Sequence, residues 1–95
     1  MSAELARITT DIRAYILENL MFSDDGSVLA NDASLLEKGV IDSTGVLELA
    51  MFLETQFGIS VKADDLLPQN FDSVDSMAGF VHRAINSEVA AAAAV

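Results

Sequence analysis

The apolar positions fall into three stretches of helical spacing, separated by two more polar connections. Leu5, Ile8, Ile12, Tyr15, Ile16 and Leu20 recur every three or four residues, while Glu4, Arg7, Asp11, Arg13 and Glu18 fill much of the other side. That pattern predicts an amphipathic helix from the start of the chain to about Leu20. A second helix is predicted from about Ser43 to Phe57, with Val46, Leu49, Ala50, Leu53 and Phe57 as its core stripe and Gly58 as its stop. A last helix begins near Asp72 or Ser73, either of which can cap it, and its buried face is Val74, Met77, Ala78, Val81, Ala84 and Ile85.

The first connection, Phe22 to Asp42, is long for a compact domain. Asp24-Asp25-Gly26 and Asn31-Asp32 are turn signals, and Val28, Leu29, Leu35, Leu36, Val40 and Ile41 can anchor the segment to a core. It reads as an ordered crossover with a short helical turn near Ala33 to Glu37. After the second helix, Ile59-Ser60-Val61 reads as extended, Ala63 to Leu67 as one short helical turn, and Phe71 as a core anchor in a polar link. The expected core is Leu5, Ile8, Ile12, Ile16, Leu36, Val46, Leu49, Leu53, Phe71, Val74, Val81 and Ile85. The expected fold is all-α: a four-helix bundle with three main helices, one short helix and a long first loop, over residues 1–87. Residues 88–95, nearly all alanine, read as a helix-prone but flexible tail with nothing to pack against.

Composition narrows the function. The 95 residues are 52% hydrophobic, enough for one core. Fifteen acidic and five basic residues leave a net charge of -10. Such a surface repels nucleic acid and anionic lipid, and attracts partners with basic patches. Neither a secretory signal nor a membrane-length apolar run is visible, so a cytoplasmic monomer is expected. Without cysteine there is no disulfide or thiolate metal site, and the single His82 rules out a multi-histidine metal site within one chain.

Other chemistries fail on spacing. Around Asp24-Asp25-Gly26, Phe22 and Asp32 stand where a calcium-binding loop needs an oxygen ligand and a glutamate. Ser43, His82 and an aspartate could be drawn as a nucleophilic triad, but no strained Gly-x-Ser-x-Gly turn is present. No Gly-rich phosphate loop occurs. His82 falls one step off the apolar stripe of the last helix and reads as a partly exposed surface residue.

The stretch GVIDSTGVLELAMFLE, Gly39 to Glu54, carries the strongest candidate. Ser43 sits where the second helix begins, among unpaired backbone N–H groups and at the positive end of the helix dipole. Asp42 or Ser43 can serve simply as the helix cap. The same place favours a phosphodiester on Ser43. Further along, Leu47 and Met51 lie off the core stripe and four apart, forming a small apolar seam flanked by Glu48 and Glu54. Such a seam suits a partner with an apolar hollow ringed by Arg or Lys, and equally reads as a solvated helix face with two stray apolar residues.

LLEKGVIDSTGVLELAMFLETQFGI, followed by DDLLPQNFDSVDSMAGFV, resembles the acyl carrier protein family. The shared features are a leucine-anchored loop, Gly-x-x-Asp-Ser, an amphipathic helix ending in Phe-Gly-Ile, and Asn-Phe-x-Ser-Val before a final helix. The resemblance runs from about Leu5 to Ile85. It implies that Ser43 receives a 4'-phosphopantetheine arm from coenzyme A through a separate phosphopantetheinyl transferase. The arm's thiol then holds an acyl or aminoacyl group as a thioester, and the protein is a carrier rather than an enzyme. The resemblance gives Asp42 a part in placing the arm and in recognition by the transferase. It makes Thr44, Leu47, Glu48, Met51 and Glu54 the surface that meets partners: a loading ligase and downstream synthases or transferases with basic patches.

Thr44 and Gly45 depart from fatty-acid-synthesis carriers, where leucine and an acidic residue usually follow the serine. Asp-Ser-x-Gly is closer to stand-alone carriers such as the D-alanyl carrier protein, and Gly-Val-Leu-Glu-Leu to carriers of secondary-metabolite pathways. The expected role is therefore a stand-alone carrier in a specialised lipid or secondary-metabolite pathway. The alternative is a non-catalytic acidic helical adaptor in which Ser43 is only a helix cap.

Overall fold

The computed structural model describes the backbone of residues 3–94 and the side chains of residues 4–42 and 44–86. Among the described residues four helices form in chain order: α1 (Ala3–Asn19), α2 (Ser43–Phe57), α3 (Pro68–Phe71) and α4 (Val74–Ala94). No strand forms among the described residues. This is the small four-helix bundle that the apolar spacing predicts, with three long helices, one short one and a long first loop.

The hydrophobic stripes drive the packing. Ile8, Ile12 and Ile16 stand four apart on one face of α1 and are all buried. They join Leu49, Ala50 and Leu53 of α2 and Val74, Met77, Ala78 and Val81 of α4 in one core. α1 lies chiefly against α4, with α3 wedged beside α4. Tyr15 of α1 stacks on Phe52 of α2 with ring centroids 4.0 Å apart, so an aromatic pair closes the side where those helices meet. Gly58 ends α2 at φ 67°, a left-handed conformation that a residue without Cβ adopts freely.

Of the two short helical turns expected, the one within Ala63 to Leu67 forms and the one near Ala33 to Glu37 does not. Residues 33–37 form no helix; a hydrogen-bonded turn covers Leu35 to Gly39 instead, closed by Lys38 N–H on the Ser34 carbonyl at 3.1 Å. Helical turns form at Gly26–Val28 and Ala63–Asp65, both of the tight 3₁₀ kind. The true short helix is α3, started by Pro68 at its first position, where the missing N–H is no loss. It seats Phe71 in the core against Phe80.

The core also differs in membership. Leu35, rather than Leu36, is fully buried, because its N–H donates to the Asp72 carbonyl and its own carbonyl accepts from Val40 and Ile41. Leu36, Leu5, Val46 and Ile85 are only partly buried and pack on the core from outside. Leu29, Ile41, Ile59 and Phe80 join it. The backbone of α4 runs to Ala94; the side chains of the alanine-rich segment 88–95 lie outside the described residues.

Candidate functional site

The site is the junction where the first loop delivers the chain into α2. Gly39, at φ 71°, turns the backbone, and Val40 and Ile41 donate to the Leu35 carbonyl at 2.9 and 3.4 Å. Ile41 is buried and acts as the last peg before the helix. Asp42 then adopts an extended conformation, φ -129° and ψ -168°, and its Oδ1 accepts the Gly45 N–H at 2.8 Å. Asp42 is therefore the N-cap, which places Ser43 at the first helical residue. Of the two capping readings, the structure shows Asp42 as the N-cap of α2. The Ser43 side chain lies outside the described residues.

Gly45 has a local reason. A Cβ built there would stand 3.2 Å from the Ile41 Cβ and 3.5 Å from the Asp42 carboxylate that caps the turn. The glycine lets the first turn of α2 close tightly over Ile41.

Of the other candidates, Thr44, Leu47, Glu48 and Met51 share one exposed face of α2, with Leu47 and Met51 at 52% and 66% exposure. Glu54 is set apart from them. It is half-buried, and its carboxylate accepts the Val61 N–H at 3.0 Å, which ties the segment after α2 back to the helix. Beside the start of α2 runs an open groove of about 390 Å³, walled by Leu20 just past the end of α1, by Gly39 to Asp42, and by Thr44, Gly45 and Glu48. A smaller apolar hollow of about 230 Å³ lies between Leu36, Val46, Leu66 and Pro68.

Two polar clasps hold the loop that leads to this junction. The Arg13 guanidinium donates to the Gly26 and Leu29 carbonyls and to Asn31 Oδ1, fastening the loop to α1. The Asp72 carboxylate accepts from the Ser34 hydroxyl at 2.8 Å and from the Leu36 N–H at 3.1 Å, fastening it to the start of α4. The Asn31 carbonyl accepts the Asp75 N–H at 2.9 Å, satisfying a first-turn donor of α4. Ser73 caps α4 through the Ser76 N–H at 3.0 Å, which leaves Asp72 free for the loop. Next to the Arg13 clasp, the Ser27 hydroxyl and then the Ser27 N–H hold the Asp25 carboxyl below its ordinary pKa.

Sequence reasoning did not assign these clasp residues to the site. Asp72-Ser73 reads as two equivalent caps, and Arg13 as one of several charges on the polar side of α1.

No helix among the described residues is long and apolar enough to cross a membrane. Comparison with curated proteins finds no match. The profile of one protein family, described as phosphopantetheine attachment site, matches residues 10–81. The matched span runs from α1 into α4 and takes in the Asp42-Ser43 junction and both clasps.

Proposed function

This chain belongs to the phosphopantetheine attachment family, and on that premise we propose that Ser43 is the residue that bears its arm. Members of this family carry a covalently attached 4'-phosphopantetheine and serve as carriers, not catalysts. When bound, the group supplies a thiol that holds a cargo as a thioester, which is how a chain without cysteine takes part in thiol chemistry.

One observation carries the assignment: Ser43 is the first residue of α2, with Asp42 as its cap, inside the matched span. In the transfer step a bond forms between Ser43 Oγ and the phosphorus next to the pantetheine of coenzyme A. The diphosphate P–O bond breaks, adenosine 3',5'-bisphosphate leaves with the electron pair, and a base on the transferase takes the serine proton. The product phosphodiester is an anion at a helix N-terminus, where backbone N–H groups and the helix dipole favour it. Asp42 holds the first turn in shape through Gly45 and keeps Ser43 at its head. The adjoining groove leaves open space beside that position.

Thr44, Leu47, Glu48 and Met51 form the face offered to a loading ligase and to downstream enzymes. It is an apolar seam edged by carboxylate on a chain of net charge -10, suited to hollows rimmed by Arg or Lys. Asp-Ser-Thr-Gly favours a stand-alone carrier of an acyl or aminoacyl group in a specialised lipid or secondary-metabolite pathway, working in the cytoplasm.

Intact-protein mass spectrometry tests the assignment. The folded, unmodified protein is incubated with coenzyme A, magnesium and a broad-specificity phosphopantetheinyl transferase. The expected result is a gain of one phosphopantetheinyl group, mapped by fragmentation to Ser43 and absent from Ser43→Ala. No gain with several transferases, or a gain mapped elsewhere, would overturn it.

A further inference from the structure

Three residues past the end of α1, in the turn closed by the Ser23 N–H on the Leu17 carbonyl, stands a side chain that the core does not explain. Phe22 has φ 54° and is the one non-glycine residue in the left-handed region among those described. That conformation costs free energy for any residue with a Cβ, and glycine or asparagine usually fills it at helix ends. Burial of the ring could offset the strain, yet Phe22 is 82% exposed, more than any other large apolar residue described. Both the backbone and the side chain would be better served by glycine. A strained backbone that presents an aromatic ring to solvent points to contact with another molecule.

The surroundings say what kind. Glu18, Asp24 and Asp25 flank Phe22 and are exposed, and no Lys or Arg occurs from residue 14 to residue 37. The nearest cation on each side is Arg13, occupied by the loop, and Lys38. An aromatic anchor edged by carboxylates fits an apolar hollow rimmed by Arg or Lys. Position narrows it further. Leu20, two residues before Phe22, walls the same groove as Asp42, Thr44 and Gly45, so the chain leading to Phe22 passes beside the head of α2. Enzymes acting on a thioester meet the far end of the arm. The enzyme that attaches the arm must bring its reacting atoms against Ser43 itself.

We propose that Phe22 is an anchor for the phosphopantetheinyl transferase, seated in a basic-rimmed apolar hollow while the enzyme closes over Ser43. This rests on the assignment of Ser43. Phe22 touches no reacting atom; it adds binding that is the same before and during transfer. Its loss therefore raises KM for the carrier and leaves kcat unchanged.

The test is steady-state transfer from coenzyme A by a broad-specificity phosphopantetheinyl transferase, with the carrier as varied substrate, alongside thermal melts. Phe22→Gly removes the ring and relieves the backbone, so its Tm should equal or exceed that of the parent, with KM up about tenfold. Phe22→Asn tolerates the left-handed backbone and should behave alike, while Phe22→Leu should restore part of the affinity. Unchanged KM in Phe22→Gly and Phe22→Asn would overturn the proposal. So would a fall in Tm that accompanies the loss, which would make Phe22 part of the scaffold. A parent that sediments as a dimer and a monomeric Phe22→Gly would show that a second copy covers the ring. A parent that is never modified would instead sink the Ser43 assignment, and this inference with it.

Discussion

The Asp42 carboxylate accepts the backbone N–H of Gly45 at 2.8 Å and so closes the first turn of α2 around Ser43. On the proposed assignment of Ser43, capping and modification are divided between neighbours, and the two substitutions should separate cleanly. Ser43→Ala should keep helical circular dichroism and change stability by no more than about 0.5 kcal/mol, while abolishing attachment. Asp42→Ala should cost about 1 kcal/mol in urea denaturation. A large loss of stability in Ser43→Ala would mean that the serine is structural after all.

Asp72 is expected to matter more to stability than an ordinary surface carboxylate. Its removal strands the Ser34 hydroxyl and the Leu36 N–H, both part-buried. Asp72→Ala should therefore cost about 1–3 kcal/mol. Asp72→Asn keeps one acceptor oxygen and should lose less. Equal urea midpoints for parent and Asp72→Ala would contradict this account of the clasp.

Arg13 holds three acceptors on the first loop, beside the buried Leu29 and the Asn31–Asp75 backbone bond. Arg13→Ala should loosen residues 26–31 locally, and the Val28 and Leu29 amides should exchange about tenfold faster with solvent. Arg13→Lys should not restore protection, because one ammonium cannot span the positions a planar guanidinium reaches. Protection restored by lysine would reduce the clasp to simple charge.

Asp25 should titrate below 3.8, held down by the Ser27 hydroxyl and then by the Ser27 N–H. A depressed folded-state pKa stabilises the fold above the unfolded value and loses that contribution as pH falls through the folded one. The Asp25 side-chain NMR signal should show the low midpoint, and Ser27→Ala should move it upward. An unmoved midpoint in Ser27→Ala would rule out the hydroxyl as the main cause.

Much of this was legible in the chain because helical periodicity is local. The spacing of Ile8, Ile12 and Ile16 on α1, and the run from Ser43 to Gly58, are carried by adjacent residues and need no tertiary knowledge. The first loop was not, because its order comes from partners far along the sequence. Asp72 reads as a cap until Ser34 and Leu36 are seen beside it. The choice of Leu35 over Leu36 for the core follows from which backbone groups reach Asp72 and Ile41, and both leucines look alike in a linear pattern. At the site, the Asp-Ser pair was visible, but which of the two caps the helix required the Gly45 bond. The apolar seam of Leu47 and Met51 was placed by spacing alone. Glu54 was grouped with it because helical phase does not reveal that the Val61 amide claims its carboxylate.

The bonds from Ser34 and Leu36 to Asp72 span 38 and 36 residues, which bears on when the protein can be used. Closing so wide a span waits for the later part of the chain. A nascent polypeptide that ends before α4 has its first loop untied on that side and the approach to Ser43 unshaped. The loop that leads into α2 then takes its folded shape only once synthesis has passed the beginning of α4. On the proposed assignment of Ser43, arm attachment then waits until the beginning of α4 has been made.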